Sequence, residues 1–80
     1  MTDGFHIASV IVRTRPEIAA AFAHRIAAMP DTEVYAVENG KIIAVLEAES
    51  GSVLADRIEE LRRDPWVLFV NLVYHQMEPT

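Results

Sequence analysis

The 80-residue sequence contains no cysteine, which excludes disulfide bonds, thiolate metal sites and a cysteine nucleophile. Basic residues are few, with seven Lys and Arg against twelve Asp and Glu and a formal net charge of −5. Nucleic-acid binding needs clustered Lys and Arg against the phosphates, so a nucleic acid is not an expected partner. No apolar run reaches the about 18 residues of a membrane span, and Met1–Gly4 lacks the start of a secretion signal. A cytoplasmic location is therefore expected.

The sequence has the composition of an ordinary globular chain, at 51% hydrophobic and 24% charged residues, and its length predicts a single domain over residues 1–80. Apolar periodicity divides it into six elements. Alternating and β-branched residues predict strands at residues 5–13, 32–38, 41–48 and 66–75. Helical spacing of apolar residues predicts helices between Thr14 and Pro30 and between Ser50 and Asp64.

The order βαββαβ predicts an α+β fold of the ferredoxin-like class. Each β-α-β half needs a right-handed crossover, and two halves joined by a hairpin give a four-stranded antiparallel sheet of order 4-1-3-2. Both helices then lie on one face of this sheet. The other face is left open, although its strands carry apolar residues there too. A large exposed apolar surface on a soluble protein usually has a binding role.

The hairpin signal Asn39-Gly40 permits two registers between the second and third strands. A two-residue turn places Glu38 opposite Lys41, whereas a three-residue loop with Gly40 at a bulge places Val37 there. These registers turn opposite faces of one strand to the core. With the charged residues facing water, only the three-residue loop satisfies both strands, and it is favoured. The residues then expected to face the core are Val34, Ala36, Ile42, Ala44 and Leu46.

Strand alternation assigns the remaining side chains to the two faces of the sheet. The inward set in the first and fourth strands is Ala8, Val10, Val12, Leu68, Val70, Leu72 and Tyr74. The open face has an apolar centre, small polar residues and an acidic margin. Its predicted residues are Ile7, Ser9, Ile11, Glu33, Tyr35, Ile43, Val45, Glu47, Phe69, Asn71, Val73 and His75. Such a surface suits either a dimer interface or a peptide with apolar and basic parts.

Catalytic and metal-binding patterns are missing from the sequence. The three histidines have no metal-ligand spacing, Ser9 has no evident base, and no glycine-rich phosphate loop is present. No enzyme activity, metal or cofactor is therefore predicted. A small dimeric enzyme of this fold would use His6 or His75 as an acid–base group, and it would need a pocket with a partnered histidine.

Several segments resemble the NapD family, and the similarity covers residues 6–78. The most specific of them is the Leu-Val-Tyr-His-Gln-x-Glu segment near the end, and Asp31 departs from the family, which often has glycine there. The segments that carry the resemblance are Ile7–Val12, Met29–Val34, Gly40–Ile43 and Leu72–Glu78.

The resemblance implies a cytoplasmic chaperone without a cofactor that is not an enzyme. Its partner would be the twin-arginine (Tat) signal peptide of the periplasmic nitrate reductase catalytic subunit precursor. Binding would delay export until the molybdenum cofactor and iron–sulfur cluster of that subunit are in place. The peptide, two arginines followed by an apolar stretch, is expected to lie as a helix on the open face, against the residues assigned to that face above. The alternative is a small-ligand or regulatory module that dimerises through the same face, and weak self-association of the chaperone there is also left open.

Overall fold

The computed structural model describes residues 5–78, which form a four-stranded antiparallel sheet with two helices on one face. Residues 1–4, on which the expectation about a secretion signal rests, lie outside the described part. The strand order β2-β3-β1-β4 is the predicted 4-1-3-2 order read from the other edge, so the ferredoxin-like prediction is confirmed. The elements are β1 Phe5–Thr14, α1 Pro16–Ala27, β2 Thr32–Glu38, β3 Lys41–Ala48, α2 Gly51–Arg63 and β4 Val67–Glu78.

The helices begin at the residues that local chemistry favours. Pro16 occupies the first turn of α1 after Arg15 in an extended conformation, where the missing proline N–H leaves no hydrogen bond unmade. The Ser50 hydroxyl caps α2 by accepting a hydrogen bond from the Val53 backbone N–H at 3.2 Å. Both helices therefore start directly after a strand and return over the same face of the sheet.

The hydrophobic core lies between the sheet and the helices. The central strands β1 and β3 supply its fully buried layer, as their alternation predicted, and alanines on α1 let that helix approach the sheet closely. The buried apolar residues are Ala8, Val10, Val12, Ala19, Phe22, Ala23, Ile26, Ile42, Ala44, Leu46, Ala48, Leu54, Ile58, Leu61 and Val70.

The β2–β3 hairpin differs from the favoured prediction. Asn39 and Gly40 have φ values of 50° and 80°, and Glu38 lies opposite Lys41, so the turn has two residues. The three-residue loop with Val37 opposite Lys41 was wrong. An extra residue is present, but it is Tyr35, within β2. The extra residue that was expected in the turn therefore lies in a β-bulge within the strand.

The bulge changes the faces of the second half of β2. Val34 lies opposite Ala44 on the helix side, as predicted, whereas Ala36 lies opposite Ile43 on the open face. The prediction that Ala36 faces the core is therefore wrong. Val37 takes the inward position and lines a shallow groove beside α1.

Strand β4 contains two irregularities that sequence alternation did not reveal. Ser9 lies opposite Tyr74 and Val10 opposite Leu72, which leaves Val73 as an extra residue. Tyr74 therefore shares the open face with Ser9, although it was predicted to face the core. A second shift leaves Leu68 without a partner on β1, and its side chain is 63% exposed instead of buried.

The extra residue Val73 also moves His75 to the helix side of the sheet. His75 lies opposite the buried Ala8, so the prediction that it belongs to the open face is wrong. Its Nε2 atom lies 3.1 Å from Nδ1 of His6, and the two imidazoles share a hydrogen bond near the start of α2.

Candidate functional site

The open face can be reconstructed from the strand register, because residues directly opposite each other in a sheet point to the same side. Four rows cross the sheet from β2 to β4, the first without a β2 member. In order along the strands, the rows are Glu47, Ile7 and Gln76; then Glu33, Val45, Ser9 and Tyr74; then Ala36, Ile43, Ile11 and Asn71; then Glu38, Lys41, Arg13 and Phe69.

The apolar centre of this face lies on the two central strands. Val45 and Ile43 of β3 lie opposite Ser9 and Ile11 of β1, and no helix covers them. Large aromatic side chains flank the centre on the β4 side, where Phe69 is 45% and Tyr74 is 51% exposed. On the β2 side the flanking residue is the small Ala36. The centre is thus a partly exposed apolar strip, flanked along β4 by two exposed aromatic side chains.

One end of the open face is acidic. Asp31, Glu33 and Glu47 line a shallow depression of about 310 Å³ together with Thr32 and Val45. Within residues 5–78, no Lys, Arg or His forms an ion pair with Glu33 or Glu47. These two carboxylates are therefore available to a basic partner.

Arg57 of α2 holds the backbone beneath this acidic end. Its Nη1 atom donates hydrogen bonds to the backbone oxygens of Pro30 at 3.1 Å and Glu47 at 3.0 Å. The same atom lies 4.0 Å from Oδ2 of Asp31, and the Glu47 N–H donates to the Asp31 carbonyl at 2.9 Å. The segment that carries the acids is consequently fixed from the helix side.

The opposite end of the face is basic. Lys41 lies between Glu38 and Arg13 in the last row, and the Arg13 guanidinium donates to the Asn39 carbonyl at 3.5 Å. Phe69 of β4 completes the row. Charge of opposite sign thus occupies the two ends of the apolar centre.

Most of the predicted site residues are brought together on the open face. These are Ile7, Ser9, Ile11, Glu33, Ile43, Val45, Glu47, Phe69 and Asn71. Tyr35 and Val73 are extra residues at register shifts in β2 and β4 and have no direct partner in the neighbouring strand. His75 lies on the other side.

Two further residues of β4 lie on the face: Tyr74, which was predicted to face the core, and Gln76, which was assigned to neither face. The Tyr74 hydroxyl donates a hydrogen bond to Oε1 of Gln76 at 2.7 Å. Asp31 also lines the acidic end. Its position directly after Pro30 and two residues before Glu33 was a sequence signal that could have indicated this.

The described chain offers no metal centre or membrane helix. Within residues 5–78, no three His, Asp or Glu side chains are grouped so that they could hold a metal ion. Neither α1, at 12 residues, nor α2, at 13, has the length and apolar character needed to cross a bilayer.

Comparison with known proteins identifies the family. The family model described as NapD protein matches residues 5–79. The chaperone NapD of Paracoccus pantotrophus is 39% identical over 74 residues, which cover 92% of this chain and 66%, just under two thirds, of that protein. The chaperone NapD of Escherichia coli K12 is 34% identical over 80 residues, covering 98% of this chain and 92% of that protein.

A solved structure agrees with these sequence matches. The solution structure of the E. coli Tat proofreading chaperone NapD superposes with a TM-score of 0.84 at 34% identity, covering 98% of this chain and 84% of that one. These relatives are chaperones, and their family is not enzymatic. By sequence over nearly all of its length and by fold, this chain belongs to the NapD family of chaperones.

Proposed function

We propose that this protein binds the twin-arginine signal peptide of a periplasmic nitrate reductase catalytic subunit precursor in the cytoplasm. Binding keeps the precursor from export until its molybdenum cofactor and iron–sulfur cluster are inserted. The observation that carries the proposal is the open face, a partly exposed apolar strip with carboxylates at one end that pair with no cation of residues 5–78. A segment with two arginines followed by apolar residues has the matching chemistry.

The apolar strip supports binding of a helical segment. When an amphipathic or apolar helix binds to a hydrophobic surface, the apolar area of both is removed from water. This burial is the main driving force for such recognition. Ile43, Val45 and Ile11 form the floor of the strip, and Phe69 and Tyr74 flank it on the β4 side. The aromatic side chains provide large contact areas of the kind that dominate binding energy at interfaces.

The acids support recognition of the two arginines. An exposed ion pair contributes only about 0–1 kcal/mol, so Glu33 and Glu47 add selectivity to an affinity that comes from apolar burial. A guanidinium can bind a carboxylate through two hydrogen bonds, which favours arginine over lysine at such a site.

Occlusion explains how binding delays export. A signal peptide that lies with its apolar side on the sheet cannot present that side to the export machinery at the same time. Precursor molecules that are bound to the chaperone are therefore not competent for export until the chaperone dissociates. The fraction that is bound follows from the two concentrations and the Kd.

Calorimetric titration tests the proposal. A synthetic twin-arginine signal peptide from a nitrate reductase precursor should bind with a submicromolar Kd, and a peptide with both arginines changed to alanine should bind about tenfold or more weakly. A peptide with the same composition in scrambled order is the control. A folded protein that binds none of these peptides and sediments as a stable dimer would contradict the proposal and favour a dimerising module.

A further inference from the structure

Charges on the open face are segregated along the direction of the strands. In β3, Glu47 marks the acidic end and Lys41 the basic end, six residues apart. At about 3.3 Å per residue, these positions lie roughly 20 Å from each other. The sign of the charge on the face therefore changes from one end of the strands to the other, and not from one edge of the sheet to the other.

The two ends differ in how their charges are compensated. At the acidic end, Asp31 approaches Arg57, while Glu33 and Glu47 have no ion-pair partner within residues 5–78. At the basic end, Lys41 and Arg13 outnumber Glu38, which lies opposite Lys41. A bound peptide would thus meet a net negative field at one end and a weaker positive field at the other.

The distance between the ends matches a helical apolar segment. A helix rises about 1.5 Å per residue, so about 13 residues span roughly 20 Å. Such a helix, placed over Val45, Ile43 and Ile11, has its last backbone carbonyls at the opposite end from the preceding arginines. Those carbonyls carry partial negative charge and are stabilised by nearby cations.

We infer that the signal peptide binds in one orientation, with its arginine pair at Glu33 and Glu47 and the end of its apolar segment at Lys41 and Arg13. The peptide then runs in the direction of β1, from Ile7 toward Arg13. This inference rests on the proposed function and adds to it the polarity of the bound peptide. Both ends favour the same orientation, since the reverse one brings arginines to Lys41 and carbonyls to Glu47.

Paramagnetic broadening in NMR spectra tests the orientation. Because the protein has no cysteine, a nitroxide on a single cysteine of the peptide labels the peptide alone. A label just before the arginines should broaden the amide signals of Glu33 and Glu47 most. A label after the apolar segment should broaden the amide signals of Arg13 and Lys41 most. A reversed pattern, or equal broadening of both ends by each label, overturns the orientation while leaving binding intact. If saturating peptide shifts no protein signal, the proposed function itself fails, and the inference fails with it.

A matched pair of charge reversals provides a second test. Glu33→Lys should weaken binding of the arginine-containing peptide by about tenfold and leave binding of the alanine-substituted peptide within twofold. Glu38→Lys changes the same residue type in the same strand at the basic end, where the added cation faces the carbonyl end of the peptide helix, so it should strengthen binding of both peptides by up to about fivefold. Equal weakening by the two changes would overturn the orientation, because it would mean that the arginines do not distinguish the ends.

Discussion

At the residue scale, Gly40 is held to glycine more strictly than Gly51 is. Its φ of 80° favours glycine, and a Cβ there would lie 2.5 Å from the Thr14 carbonyl oxygen. The Thr14 N–H also donates to the Gly40 carbonyl at 2.8 Å, so the hairpin cannot move away from the end of β1 without losing that bond. Gly51 has no such constraint, since a Cβ there would meet only the His6 ring, at 3.4 Å.

We expect Gly40→Ala to lower the free energy of unfolding by about 2 kcal/mol or more, because it adds backbone strain and a steric clash. Gly51→Ala should change it by less than about 0.5 kcal/mol or raise it, because alanine reduces the entropy of the unfolded chain. Urea unfolding followed by circular dichroism measures both. Equal effects of the two substitutions would mean that the close approach to Thr14 is not costly.

At the element scale, sequence alternation was sufficient for the central strands and failed in the edge strands. β1 and β3 pair without a register shift, and their buried residues match the prediction. In β4 the run Leu68, Val70, Leu72, Tyr74 alternates regularly, yet the extra residues reverse the faces of its two ends. An edge strand buries less of each side chain, so apolar pattern constrains its register weakly, and alternation cannot locate a bulge.

The hairpin illustrates the same limit in β2. The pattern of charged residues correctly required one extra residue between Glu33 and Lys41. It could not distinguish a bulged turn from a bulge at Tyr35. The open face was consequently predicted in its central part, whereas Tyr74 was missed and His75 was wrongly included.

We expect deletion of Val73 to leave the fold intact, with a loss of about 1 kcal/mol in unfolding free energy, because Ser9–Tyr74 and Val10–Leu72 are already consecutive pairs. Deletion of Ile11 from the central strand β1 should prevent folding, since it disrupts the pairing with both neighbours. Amide dispersion and cross-strand NOEs in NMR spectra report the two outcomes. If the Val73 deletion unfolds the protein, the bulge has a structural role beyond its extra residue.

At the scale of the whole molecule, the two faces of one sheet have separate tasks. Ile42 and Ile43 are neighbours in β3, but Ile42 is completely buried under the helices and Ile43 is 37% exposed on the open face. Stability depends on the first face, and the proposed peptide binding depends on the second. Adjacent substitutions should therefore separate the two properties.

We expect Ile42→Ala to lower the unfolding free energy by about 2–4 kcal/mol through loss of buried contacts and creation of a cavity. Ile43→Ala should cost less than about 1 kcal/mol and weaken signal-peptide binding about fivefold to tenfold. Chemical denaturation and calorimetric titration of both variants provide the comparison. An Ile43→Ala variant with unchanged peptide affinity would contradict the placement of the peptide on this strip.

The positions of the register shifts also bear on solubility. The β1–β3 pair is regular, whereas both pairs that involve an edge strand are interrupted, at Tyr35 in β2 and at Leu68 and Val73 in β4. A bulged, locally twisted edge is a poor template for adding a strand from another molecule. The sheet can therefore keep a partly exposed apolar face while its edge strands disfavour edge-to-edge pairing with other molecules. Flat, regular edges beside the same apolar face would instead favour polymerisation by strand addition.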